Sequence, residues 1–239
     1  AATELARQGL GMEQTLKRTS DALILTRLTG MQAEEAVSSL TAAVNSFSKA
    51  GITSAQVINK MAKVDQAFAV SSDDLAKAIS RVGSSAVDAG VSMDELLAIT
   101  TAVQQRTARG GAVIGNAFKT IFTRIGRTDV QKKLSDIGVA TRDMATGAML
   151  PATRVLENLS KKFQTLGKSQ QNQIAESVAG VFQVNILRAA LGDLSSKYGV
   201  YNRALRESAS ATNEAYLKNE QLNQTLDALV NKTLANLTK

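Results

Sequence analysis

Apolar residues recur at three- and four-residue intervals along much of the chain's first hundred positions. Val37, Leu40, Thr41, Val44 and Phe47 form one row, and Val57, Ile58, Met61, Val64 and Phe68 the next. Leu75, Ala78, Ile79, Val82 and Ala86 continue the pattern, followed by Leu96, Leu97, Ile99, Thr100 and Val103. That period puts each row on one face of an α-helix, so the rows predict four helices sharing a core. Many neighbouring positions are Ala, Ser or Gly, which lets such helices approach closely.

The starts of these helices are marked alike. They are Gly30-Met-Gln-Ala-Glu-Glu35, Gly51-Ile-Thr-Ser-Ala-Gln56, Val70-Ser-Ser-Asp-Asp74 and Gly90-Val-Ser-Met-Asp-Glu95. Glycine can supply the left-handed residue that ends the previous helix. Ser or Thr then caps the next one, and an acid or amide three residues on completes a capping box. Thr53 with Gln56 and Ser92 with Glu95 have that spacing, whereas Gln32 is a poor cap. Starts about twenty residues apart describe a packed array rather than a rod.

Arg109-Gly-Gly111 interrupts the array. Beyond it, Phe118, Ile121, Phe122 and Ile125 share one face of a basic amphipathic helix over 113–125. A short helix over 130–137 should stop at Gly138, and 139–150 reads as irregular or hairpin-like, with a turn at Gly147. Pro151 suits the first turn of a helix ending near Gly167. Further helices run from Gln170 to Phe182 or beyond and on through Leu205, with breaks expected at Gly180, Gly192 and Gly199. From Ala211 to Leu237 there is neither Gly nor Pro, and Leu222, Leu226, Leu229, Thr233 and Leu237 share one face. That segment predicts a long amphipathic helix, either in a coiled coil or folded back on the body. Leu5, Met12, Leu16, Leu23 and Leu28 give the N-terminus a similar rhythm. The expected fold is all-α: an array of short antiparallel helices with a long C-terminal amphipathic helix, a candidate coiled-coil strand. Four segments are expected, namely an N-terminal helix (1–29), the repeated array (30–109), a basic helical region (110–209) and the C-terminal helix (210–239).

Composition narrows the chemistry. The 239 residues include no Cys and no His, so thiol chemistry, the commonest general base and the commonest metal ligand are all missing. Trp is absent and Phe and Tyr total nine, too few for stacking platforms on single-stranded nucleic acid. The longest apolar run, 96–103, falls far short of the ~20 residues that cross a bilayer. A chain beginning Ala1, with no signal-peptide pattern, is expected to be processed or part of something longer.

Charge is uneven. Residues 101–170 carry 12 Lys/Arg against 4 Asp/Glu, while 1–100 are net −2 and 171–239 net +1. Arg106, Arg109, Lys119, Arg124, Arg127, Lys132 and Lys133 are therefore candidate contacts to DNA or to another acidic surface, the plain alternative being a solvated face. Leu222, Leu226, Leu229 and Leu237 are candidate oligomer contacts. Gly110 and Gly115 have the spacing of a phosphate loop, but Asn116-Ala117 stands where Lys-Ser/Thr is required. Paired acids such as Glu34-Glu35 and Asp73-Asp74 lie at helix starts, where capping accounts for them. No catalytic, cofactor or metal site is expected, and the chain reads as a non-enzyme.

Ordered motifs carry a resemblance. Gly115-Asn-Ala-Phe-Lys-Thr-Ile-Phe-Thr-Arg124 is followed by Leu134-Ser-Asp-Ile-Gly-Val139. Arg142-Asp143, Gly147, Leu150-Pro151 and Val155-Leu-Glu-Asn-Leu159 come next, then Ile174-Ala-Glu-Ser-Val-Ala-Gly180 and Gln183-Val-Asn185. This series, from about Gly30 onward, resembles the core region of the tape-measure proteins of long-tailed bacteriophages. Val184 stands where members often carry Arg.

The resemblance implies a structural protein that lies in several copies inside the tail tube, sets tail length during assembly and leaves when DNA is ejected. Implied partners are the tail tube protein, tail tip or baseplate hub proteins, tail assembly chaperones and further copies of the chain (a trimer or hexamer). Transient contact with DNA and the host membrane is implied as well, and it makes the seven basic residues, Arg106 to Lys133, candidate contacts to DNA or to the tube wall. Implied locations are the tube lumen, the host cytoplasm during assembly and the host envelope during ejection. A DNA-binding or membrane-active helical protein assisting genome delivery is the alternative. Glycine punctuation suggests a body that is compact when isolated and either extends within the tube or serves assembly.

Overall fold

The computed structural model describes residues 11–237. Among them are twelve α-helices: α1 (Met12–Thr29), α2 (Ala33–Ser46), α3 (Ser54–Ala67), α4 (Ser72–Asp88), α5 (Met93–Thr107) and α6 (Gly111–Ile125) come first. Then follow α7 (Thr128–Asp136), α8 (Ala152–Phe163), α9 (Lys168–Ala179), α10 (Val184–Leu194), α11 (Val200–Ala209) and α12 (Glu214–Leu237). Single 3-10 turns sit at Ser48–Ala50 and Val181–Gln183. The fold is all-α, and the rows of apolar residues are its core. One continuous buried cluster runs from Ala22 on α1 to Ala215 on α12.

The helix starts obey the local chemistry. Thr53 and Ser92 each form a full capping box, with Gln56 and Glu95 respectively. Ser71 caps α4 through the Asp74 amide, and Gln32 gives α2 no side-chain cap. Gly30, Gly51 and Gly90 take φ of 74°, 67° and 72°, the left-handed turn that L side chains resist.

Helix α4 lies at the centre, packed against α2 on one side and α6 on the other. Both contacts need glycine. A Cβ on Gly111 would sit 1.8 Å from the Asp74 carbonyl oxygen, and one on Gly115 2.8 Å from that of Ala78. On the opposite side, a Cβ on Gly83 would meet Ser46 Oγ at 2.7 Å. Because Gly111 meets Asp74 and Gly115 meets Ala78, α4 and α6 run parallel. Gln104, near the end of α5, donates to Asp74 near the start of α4 at 2.9 Å, so α5 returns antiparallel between them. Phe118, Ile121, Phe122 and Ile125 all face inward, at most 2 % exposed.

Several expected boundaries move. Gly192 does not break a helix but lies inside α10, while Gly180 and Gly199 do separate helices. The helix after Pro151 ends at Phe163 rather than Gly167, and the next ends at Ala179 rather than at Phe182 or beyond. Residues 139–150 form a short hairpin with a single bridge between Arg142 and Met149. Its turn is held by Asp143, whose carboxyl lies below the usual range because the Thr146 amide, the Thr146 hydroxyl and the Ala145 amide all donate to it. On α1 the rhythm does not mark the buried face: Met12, Leu16 and Leu23 are exposed, and Asp21, Ala22, Ile24 and Leu25 are buried. Leu5 lies outside the described residues.

Helix α12 packs on α1 and α3. Tyr216 bonds to Asp21, and Arg27 to Asn223, so α1 and α12 run parallel. With α1 ending at Thr29, residues 224–237 continue past it for about 21 Å at 1.5 Å per residue.

Candidate functional site

The seven basic residues separate into two groups. Four are tied to the body. Arg106, on the last turn of α5, places Nε 3.4 Å from Asp193 Oδ1 and donates through Nη2 to the Gly192 carbonyl at 3.3 Å. Asp193 is 2 % exposed and also accepts from the Val200 and Tyr201 amides at 3.1 and 2.8 Å, which caps α11. That ion pair is structural: it balances a buried carboxylate.

Arg124 donates to the Ser177 and Glu176 carbonyls at 2.8 and 3.3 Å, on the last turn of α9. The Glu176 carbonyl also accepts from the capping Gly180 amide at 2.8 Å, and a cation at this helix end suits the helix dipole. Lys133 reaches the same turn, donating to Ser177 Oγ at 3.1 Å. Arg127 pairs with Asp129 at 3.1 Å on the surface.

Arg109, Lys119 and Lys132 are exposed, and their side chains make no hydrogen bond or ion pair among the described residues. Arg109 precedes α6, Lys119 lies in its middle and Lys132 is on α7. Ten residues separate the first two, roughly 15 Å along a helix, so the free cations form a sparse row rather than a pocket.

Of the Gly110 and Gly115 pair that mimics half of a phosphate loop, Gly115 has a packing role, shared with Gly111 rather than Gly110. Gly111 and Gly115 bring α6 against α4, and the Gly111 amide donates 2.7 Å to Asp74 Oδ1. That amide, a helix N-terminal donor open to an anion in a phosphate loop, is occupied by a carboxylate of the protein itself.

Of the leucine row on α12, Leu222 is half-buried, while Leu226 and Leu229 are 53 % and 56 % exposed beside Val230. The Leu237 side chain lies outside the described residues. One exposed feature was not legible as a site: Val181 and Phe182, 73 % and 93 % exposed, sit where α9 meets α10. They follow Gly180 at φ 70°, ψ 166°, a backbone region open essentially to glycine alone. Among the described residues no group of three or more His, Cys, Asp or Glu could hold a metal ion. No single helix there is long and apolar enough to cross a membrane.

These features define an all-α scaffold whose polar groups mainly join helix to helix. The family model for phage-related minor tail proteins matches residues 1–180, and the chain belongs to that family. It is a structural protein of the phage tail. No solved structure matches it.

Proposed function

We propose that this chain is the tape-measure component of the tail, lying in the tube lumen, setting tail length during assembly and leaving as DNA is ejected. The supporting observation is that the family match over residues 1–180 takes in the ordered tape-measure motifs up to Gly180, which lie on one helical body. A ruler needs a part that transmits length, and α12 suits that part, since residues 224–237 continue beyond α1 as helix. Its leucine row is the surface that joins copies into a trimer or hexamer. The tube protein, the tip or hub proteins and the assembly chaperones are the further partners. Host cytoplasm during assembly and host envelope during ejection are the remaining locations.

Deleting core helices would not test this cleanly, because α4 supports both α2 and α6. Lengthening α12 would. Four heptads inserted after Val230 add 28 residues, and an extended helical ruler should lengthen the tail by about 42 Å. Electron micrographs of assembled phage give the readout. Tails of unchanged length would remove this segment from the measuring part.

A DNA-binding role in genome delivery is the second reading, resting on the free Arg109, Lys119 and Lys132. It is the weaker one, because the other four candidates already have partners in the body.

A further inference from the structure

The contact between α12 and the body differs in kind from every contact around α4. Ala215 is fully buried, and Tyr216 packs partly against the core; the other described apolar side chains of α12 are half-buried or exposed. What ties the helix down is polar. Asn59 on α3, 4 % exposed, donates to the Thr212 carbonyl at 2.8 Å and accepts from the Ala215 amide at 2.9 Å. It thus supplies the cap for the start of α12. Asp21 on α1, 1 % exposed, accepts from the Tyr216 hydroxyl at 2.5 Å and from Ser54 Oγ at 2.6 Å. Burial and the Asp21 carboxylate push the Tyr216 hydroxyl up, so it stays protonated as the donor. Two ion pairs at 3.2 Å, Lys63–Glu214 and Lys218–Asp65, flank these bonds, and Arg27 reaches Asn223.

Polar docking of this kind is reversible in a way that apolar docking is not. Each group named on the body side is one that water solvates well once α12 departs. The Asp21 carboxylate, held by two hydroxyls, regains hydration that burial withholds. Asn219 Oδ1 on α12 is buried with no hydrogen-bond partner, a cost that docking imposes and release removes. The two ion pairs are half-buried, and their contribution is the part of the docking that salt screens. By contrast, lifting α6 would uncover Ile114, Phe118, Ile121 and Phe122, all at most 2 % exposed.

We propose that α12 is a detachable strap, which lifts from an intact body as a unit by hinging at residues 210–213. The hinge is the irregular link between α11 and α12. Release converts α12 from a helix fixed along α1 and α3 into a free arm, with its leucine row open along its length. Docked and free forms differ chiefly in polar bonds exchanged with water, so the balance responds to ionic strength and to any partner that takes the helix.

Segment-resolved hydrogen exchange on the full chain tests this. Amides 215–223 are expected to exchange at least ~100-fold faster than amides 114–125, because opening of the strap is separate from global unfolding. Asn59→Ala should speed 215–223 a further ~10-fold and leave 114–125 unchanged. Raising NaCl from 0.1 to 1 M on the unaltered chain should act in the same direction on α12 alone, which covers the case in which the variant fails to fold. Equal protection of both segments, or equal acceleration of both by salt, would show that α12 unfolds only with the body and overturn the strap.

Discussion

At the scale of single residues, the sharpest constraint is the missing side chain at Gly111. Its Cβ would lie 1.8 Å from a backbone oxygen of α4, and backbone cannot rotate aside as a side chain can. Gly111→Ala is therefore expected to destabilise the fold by about 3 kcal/mol or more, at the upper end for overpacking. Gly167 gives the control: it has φ −64°, and nothing lies within 4 Å of its would-be Cβ. Gly167→Ala should change stability by no more than about 1 kcal/mol, because the entropy lost from the unfolded chain and the poorer N-cap that Ala makes oppose each other. Urea unfolding of both variants measures the contrast. If Gly111→Ala were as mild as Gly167→Ala, the close packing of α6 on α4 would be wrong.

Helices are started in this protein by two kinds of cap, and only one kind is visible in a sequence. Thr53 and Ser92 cap their own helices from within a three-residue window, which is why the starts of α3 and α5 were legible in the sequence. Helices α6, α11 and α12 begin otherwise. Gly110 and Gly199 offer no cap, and the groups that serve are Asp74, 37 residues away from Gly111, Asp193 for α11 and Asn59 for α12. Asp74 was legible as an acid in the first turn of α4, but not as the acceptor for α6, because nothing local encodes a partner at that separation. The same limit hid Arg106 and Arg124, whose charge suggested an outward role and whose position gives them inward ones. The apolar periods of α2 to α5 were read correctly because burial there follows helical geometry alone. On α1 burial follows what α3 and α12 present, including the hydroxyls that satisfy Asp21. A test of remote capping follows. Thr53→Ala should cost about 1 kcal/mol, an ordinary cap. Asp74→Ala should cost about 2–3 kcal/mol, since it also leaves the Gly111 amide and the Gln104 side chain without their acceptor. Paired thermal melts that rank the two variants the other way would count against it.

For the molecule as a whole, part of the basic excess of 101–170 is internal wiring, and this bounds what the seven candidate cations can contribute to DNA binding. With Arg109, Lys119 and Lys132 as the free members of the seven, at most three counterions are displaced through them. Log affinity should then fall against log salt with a slope no steeper than about −2.7, and binding should be weak. Changing all three to Gln should abolish DNA retardation at low salt. A steeper slope, or retardation that survives the triple change, would mean that further cations bind phosphate, the exposed Lys161, Lys162 and Lys168 first among them. The remote caps also have a direction. Asp65 accepts from the Ser72 amide, Asp74 from Gly111, Asp193 from Val200 and Tyr201, and Asn59 from Ala215. In each case the acceptor precedes the helix it starts. A nascent chain leaving the ribosome N-terminus first would thus find each distant anchor already synthesised, and no helix of this group would wait on sequence still to be translated.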